Sequence, residues 1–355
     1  MTLTAYDPRS YDIYIGIDVD KKSFSFTVTD HNQMNICKTI PANAENLSRY
    51  IQNTYAGKRV VCAYEAGCTG YHLHDQLQAQ NISCFIVPPA GVPKASTDRV
   101  KNNRLDSEKI ARLLTTAHVP SIHIPPEAYR ELRLLVTSRE QYARQSISIK
   151  QKIKSLVLFS QLHLQLRSDE QRWSGKYIAA LKKLACSPGT QLRLSLLLED
   201  LEYTRNQYVR VVKALRMQMF AQPELQELVK LLMTIPGIGF VIAVTVIARI
   251  GNPAEIRNVR QLAAFVGLVP TEYSTGDTVS RGHITHHGNR MLRALLIQAA
   301  WIMIRKDARM QQFFNRIRSR NHKTAGSLKA IVAVARKLTM IIFAVLKEQR
   351  PYRAY

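Results

Sequence analysis

Tyr273-Ser274-Thr275-Gly276 sets two small hydroxyls beside a glycine, just ahead of the basic run Arg281-Gly282-His283-Ile284-Thr285-His286-His287-Gly288-Asn289-Arg290. A serine hydroxyl becomes nucleophilic when a base or a local field favours its alkoxide. Arginine and histidine close by can offset the charge that builds on phosphate oxygens during attack. The arrangement therefore suits attack on a phosphodiester. Ser274 is the preferred nucleophile because its primary hydroxyl is the less hindered; Thr275 and Ser280 are the alternatives. The plainer reading is a polar surface turn with a basic flank.

A second candidate site is acidic. Asp18 ends a β-rich stretch, Glu65 follows the apolar run Val60 to Tyr64, and Asp106 opens a helical pattern. Carboxylates at a sheet edge and a helix start can converge on one point. They would repel one another there unless an oxygen-seeking cation such as Mg²⁺ or Mn²⁺ neutralised them and held a scissile phosphate. Each residue also has an ordinary role available: a turn former at Asp18, a solvated strand end at Glu65, a helix N-cap at Asp106.

The elements that must position these groups follow from periodicity. Tyr11 to Val19 and Ser23 to Thr29 read as strands joined by a turn, Asn43 to Tyr55 as a helix, Arg59 to Tyr64 as a strand, Tyr71 to Gln80 as a helix and Ser83 to Val87 as a strand. That alternation predicts an α/β domain resembling the ribonuclease-H-like nuclease fold. Leu105 to Thr116 starts a helix, and 120–126 is a linker. Glu127 to about Gln165 and Gln191 to Phe220 read as long helices, either a coiled-coil arm or a plain helical core. Ile235-Pro236-Gly237-Ile238-Gly239 between two apolar helices resembles a helix-hairpin-helix, whose Gly237 and Gly239 would let backbone approach a phosphate. Further helices are expected over 291–304 and 328–346. The resulting division is an α/β domain over 1–125, a helical region over 126–223 and a mostly helical C-terminal domain over 224–355 that carries the serine loop.

The partner is read from charge. The 355-residue chain carries 50 Lys plus Arg against 26 Asp plus Glu, a net +24 spread along its length. That surplus favours a polyanion, nucleic acid before membrane. Apolar residues at 46% exclude a mainly disordered chain. Cys37, Cys62, Cys68, Cys84 and Cys186 are odd in number and match no zinc spacing, so reduced thiols in the cytoplasm are expected. No signal-peptide pattern opens the chain, and no apolar run is long enough to span a bilayer.

Several stretches together resemble a known family. They are Gly16-Ile17-Asp18-Val19-Asp20-Lys21, Tyr64-Glu65-Ala66-Gly67, the run from Val100 to Ala111, Ile235 to Gly239, Phe265-Val266-Gly267-Leu268-Val269-Pro270, Tyr273 to Gly276, and Ile284-Thr285 through Gly288-Asn289 to Leu292-Arg293. In this order they resemble the DEDD recombinases of a bacterial insertion-sequence family, similar to Piv-type DNA invertases. The resemblance implies a RuvC-like N-terminal domain with its first, second and fourth acidic positions on Asp18, Glu65 and Asp106. The third falls on Asn103, a carbonyl donor without charge; Asp98 is a candidate to supply the missing carboxylate. It further implies that metal at these residues and Ser274 form a composite site, that Ser274 links covalently to DNA, and that a dimer or tetramer synapses donor and target duplexes. A bridge-type non-coding RNA from the element would choose the sites by base pairing, in the bacterial cytoplasm. Arg281, His283, Asn289, Arg290 and Arg293 join Gly237 and Gly239 as candidate nucleic-acid contacts.

The expected function is thus a recombinase or transposase. The alternatives are a metal-dependent nuclease or junction resolvase that uses the acidic site alone, and a nucleic-acid-binding scaffold without catalysis.

Overall fold

The computed structural model describes residues 2–3, 6–32, 35–92, 103–116, 119–164, 172–275, 278–285, 287–320 and 323–353. Its contacts divide the chain into two compact units, 1–124 and 125–355.

In the first unit, β1 (Thr2–Leu3) pairs antiparallel with β7 (Pro120–Ser121). The main sheet has five strands. β2 (Ile13–Val19), β3 (Ser23–Asp30) and β4 (Ile36–Pro41) form an antiparallel meander. β5 (Val60–Glu65) lies parallel to β2, and β6 (Ser83–Val87) parallel to β5, giving the order β4-β3-β2-β5-β6. β4 is an addition to the sequence reading. It is an edge strand, and its largely exposed residues carry little of the alternation that marks a half-buried strand.

Helices cover both faces of this sheet. Ile13, Ile15 and Ile17 of β2 pack on one side with α1 (Ala44–Thr54) and α2 (His72–Ala79) through Leu47, Ile51, Leu73 and Leu77. The alternate residue Tyr14 faces the other side, where Val61, Ala63 and Val87 meet Ile110 and Leu114 of α3 (Asn103–Leu114). A strand buried on both faces reads as nearly continuous apolar sequence, as Ile13 to Ile17 does. Cys62 and Cys84 lie opposite each other in this core, and burial pushes both thiols up, Cys62 to about 12.

In the second unit, α4 (Glu127–Phe159) and α6 (Pro188–Phe220) form an antiparallel hairpin. Gln218 donates to Glu131 near one end, the Arg139 guanidinium lies over the Tyr208 ring, and Ile149 and Ile153 pack on Leu194, Leu197 and Leu201 toward the other end. The distal end has its own small core, completed by Tyr177 and Leu181 of α5 (Gly175–Lys182), a helix added to the sequence reading. The near end does not stand apart. Leu132, Val136, Leu215 and Met219 are buried in one large core with α7 (Pro223–Met233), α8 (Phe240–Ile250), α9 (Val259–Val266), α10 (Arg290–Lys306), α11 (Ala308–Ser319) and α12 (Lys323–Glu348). α8 sits deepest: Ala243 to Ala248 are all buried, as a helix apolar on every side requires. Between α9 and α10 the chain makes a two-stranded sheet, β8 (Pro270–Thr275) and β9 (Thr278–Ile284). Among the described residues, no helix is long and apolar enough to cross a membrane.

Candidate active site

Strand alternation decides where the acidic residues point. Asp18 is two residues beyond Gly16, so both leave the same face of β2. In the parallel register Ile17 pairs with Tyr64, and both are buried toward α1 and α2. Asp18 and Glu65, the next residue on each strand, therefore share the opposite face. That face carries α3: a Cβ at Gly16 would collide with the carbonyl oxygen of Ser107 and the amide nitrogen of Ala111. Only glycine lets the helix backbone come so near the strand. The Ser107 Oγ also lies 2.8 Å from Oγ1 of Thr27, which is the β3 partner of Gly16. The helix turn that carries Asp106 is thus fastened beside the carboxyl ends of β2 and β5.

Asp18 and Asp106 are half-buried and Glu65 is exposed. The Lys109 ammonium stands 3.8 Å from the Asp106 carboxylate. Asn103, exposed, lies one turn before Asp106 on the same side of α3. Among the described residues, no group of three or more His, Cys, Asp or Glu forms a ready metal-binding cluster. The donor set is nevertheless hard oxygen throughout, which suits a small divalent cation, and side-chain movement is what would gather it onto one ion. Asp98 lies outside the described residues. The sequence signal for this close approach is the glycine that interrupts the apolar run Ile13 to Val19.

Ser274 occupies β8, paired with Val279 of β9, one step from the final pair Thr275–Thr278. It belongs to a strand end rather than to the turn itself, and Gly276 lies outside the described residues. Glu272 pairs with Arg281. The side chains of Ser274 and Arg281, and the whole of His286, also lie outside the described residues. His283 and Arg290 are exposed.

The base of this hairpin is knotted to the helices around it. Gly267 caps α9 in the left-handed conformation (φ 77°), and a Cβ there would strike the Arg293 guanidinium and the His287 carbonyl. At Gly288, with φ 93°, a Cβ would come within 2.9 Å of the backbone of Ala264, Phe265 and Gly267. The Thr285 amide donates to Val269, and the Asn289 amide to Phe265. One sequence expectation is corrected here. Arg293 is no surface contact: only 9% exposed, it shares Nη1 among the carbonyls of Val266 (3.2 Å), Gly267 (3.4 Å) and His287 (3.2 Å). A cation at the end of α9 satisfies carbonyls that the helix leaves open. Asn289 caps α10, its Oδ1 accepting from the Leu292 amide. That oxygen serves the cap, and the side chain is half-buried.

The Pro-Gly-Ile-Gly turn divides its labour. Gly237, at φ 92°, presses on the backbone of α10, where a Cβ would collide with the Ala299 carbonyl. Packing on α10 is by itself enough to require glycine there. Gly239 is exposed, has open space where a Cβ would go, and stands as N-cap of α8; it alone of the pair has room for a ligand.

The profile of the DEDD transposases of the IS110 type matches residues 15–160, and that of the transposase IS116/IS110/IS902 family matches 229–315. The chain belongs to the IS110/IS116 family of DEDD transposases. It is a DNA transposase or recombinase enzyme. Relatives align over nearly all of it. Protein y4qE of Sinorhizobium fredii, named as a candidate transposase, is 27% identical over 95% of this chain and 86% of its own length. The transposase for insertion sequence element IS1111A of Coxiella burnetii is 25% identical over 96% and 91%. The pilin gene-inverting protein of Moraxella bovis is 24% identical over 96% and 97%. The matched IS110-type region spans the strands and helix bearing Asp18, Glu65 and Asp106, and the second region spans the β8–β9 hairpin. Its DEDD domain implies use of a divalent metal.

Proposed function

We propose that this transposase breaks and rejoins DNA with its acidic residues and with Ser274, both being required for strand exchange. The observation that carries the acidic half is the shared face of Asp18 and Glu65 at the ends of paired strands, with the first turns of α3 against Gly16. Asp18, Glu65 and Asp106 would hold the metal, Mg²⁺ or Mn²⁺, and Asn103 would add a neutral carbonyl oxygen. Bound there, the metal supplies Lewis-acid charge for phosphate oxygens. One carboxylate fewer than a four-acid set predicts weaker metal binding. Lys109, beside Asp106, places one positive charge next to these acids. These features support a RuvC-like role for the N-terminal unit.

Ser274 attacks phosphorus through Oγ. The hydroxyl proton leaves, a serine–phosphate bond forms, and the bond to the departing sugar oxygen breaks to free a sugar hydroxyl. Attack by a sugar hydroxyl on the phosphoserine reverses the step and restores the serine. Arg281, His283 and Arg290 support the phosphate. The location of Ser274 near the free end of a hairpin, paired within a basic segment, supports this reading. The partners follow: donor and target duplexes, a homo-oligomer that joins them, and an element-encoded RNA that selects them, for which the +24 charge provides the attraction.

Two substitutions test the whole reading. Asp18→Ala and Ser274→Ala should each abolish recombination of a donor–target pair, measured by sequencing junctions, and leave nucleic-acid binding largely intact. Ser274→Ala should also abolish a covalent protein–DNA adduct on denaturing gels. Cutting that persists in Ser274→Ala while Asp18→Ala is dead would assign the enzyme to metal-dependent nucleases or resolvases instead.

A further inference from the structure

Residues of α11, α12 and the segment after α12 line a half-open cleft of about 350 Å³ that takes no part in the chemistry described above. Its floor is apolar: Met310, Ile341, Ala344 and Val345. Four cations line it, Arg309, Lys337, Arg350 and Arg353, against the single carboxylate Glu348. The segment that brings the last two arginines is fastened on both sides. The Tyr352 amide donates to Thr234 Oγ1 at 2.8 Å, and the Tyr352 hydroxyl donates to Asp307 at 2.5 Å. Asp307 in turn caps α11 by accepting from the Met310 amide. Arg350 and Arg353 flank this anchored tyrosine, so their backbone is placed before any ligand arrives.

A cleft of that composition asks for a ligand with two parts. The cations call for an anion, and the apolar floor calls for a body that prefers to leave water. Simple inorganic anions satisfy the first demand only. The volume is in the range of small-molecule sites and suits a flat ring with a phosphate attached. Tyr352 and the guanidinium planes offer surfaces on which a base can stack. A duplex keeps its bases inside the stack and could offer only its backbone. We infer that the cleft takes one unpaired nucleotide of a single strand, its base against Met310, Ala344 and Tyr352 and its phosphate among the arginines. Exchange of DNA strands exposes such nucleotides, and so does any RNA loop.

The test uses the full chain and labelled oligopyrimidines: single-stranded RNA, single-stranded DNA and a DNA duplex. Ala344→Trp fills the floor without altering charge. It should weaken single-strand binding about tenfold, the scale of one lost stacked base, and leave duplex binding unchanged. Arg350→Ala/Arg353→Ala should flatten the salt dependence of single-strand binding by about 0.7 in log–log slope, one phosphate's worth. Independently, 4-thiouracil-containing strands photocross-linked to the unaltered protein should map to Met310 or Tyr352. Cross-linking by the RNA or by the DNA strand names the source. Cross-links elsewhere, equal loss of duplex and single-strand binding in Ala344→Trp, or displacement by polyglutamate but not by oligonucleotide would overturn the assignment. None of these measurements depends on Ser274 or the metal, so a failure here leaves the catalytic proposal standing.

Discussion

Arg293 shows how a residue type misleads when read alone. An arginine beside a basic, glycine-rich loop looks like a phosphate ligand, yet it serves three backbone carbonyls inside the C-terminal unit. Arg293→Met keeps length and apolar contact but strips those carbonyls of their donor. About 3 kcal/mol of stability should go, the scale of leaving buried polar groups unsatisfied, measurable by denaturant titration. Asp307 makes a pH-dependent contribution. Burial works against its carboxylate, but donors from Tyr352, Met310 and Arg309 outweigh that and hold its pKa below the ordinary carboxylate value. Its contribution is therefore complete above the unfolded-state pKa of about 3.9 and is lost as pH falls through the lower folded value. Asp307→Asn should cost about 1 kcal/mol near neutrality, and its stability curve should merge with the wild type's in acid. A constant gap across that range would refute the linkage.

At the scale of elements, the acidic face depends on how close α3 comes to β2. Gly16→Ala inserts a methyl between the strand and the backbone of Ser107 and Ala111. The helix must lift or the strand must bend, at a cost of about 3 kcal/mol. Because Asp106 rides on the same turn, metal-dependent activity should fall by more than the loss of folded protein explains. Activity per folded molecule, with folding followed by circular dichroism, separates the two effects; equal declines would argue that α3 does not position the acid. The long helices were legible because α4 and α6 repeat apolar residues at helical spacing over 33 residues each. Edge strand β4 and the short helix α5 were not, since exposure on the edge and brevity both erase periodicity.

For the whole molecule, charge sets the binding law. Duplex affinity should fall with salt at about 0.9 in log–log slope per phosphate engaged. Arg281→Gln/Arg290→Gln should reduce that slope by about 1.8. Arg293→Met, at a temperature where it stays folded, should leave the slope alone. A slope change for Arg293→Met would place that arginine on DNA, and none for the Arg281/Arg290 pair would remove those two from the phosphate contacts.

The chain's order of residues was enough for the broad class, α/β followed by mostly α, and for the family, because apolar periodicity and a string of local motifs are properties of neighbours along the backbone. It was also enough to nominate Asp18, Glu65, Asp106 and Ser274. Tertiary structure alone decided which side groups face one another. The pairing of β2 with β5 put Asp18 and Glu65 on a common face, although they are far apart in sequence. Closure of α9 on α10 turned Gly267, Gly288 and Arg293 into a packed joint, and the fit of Gly237 on α10 left no room for a side chain there. Burial and hydrogen bonding are settled by partners distant along the chain, and no local pattern records who those partners will be.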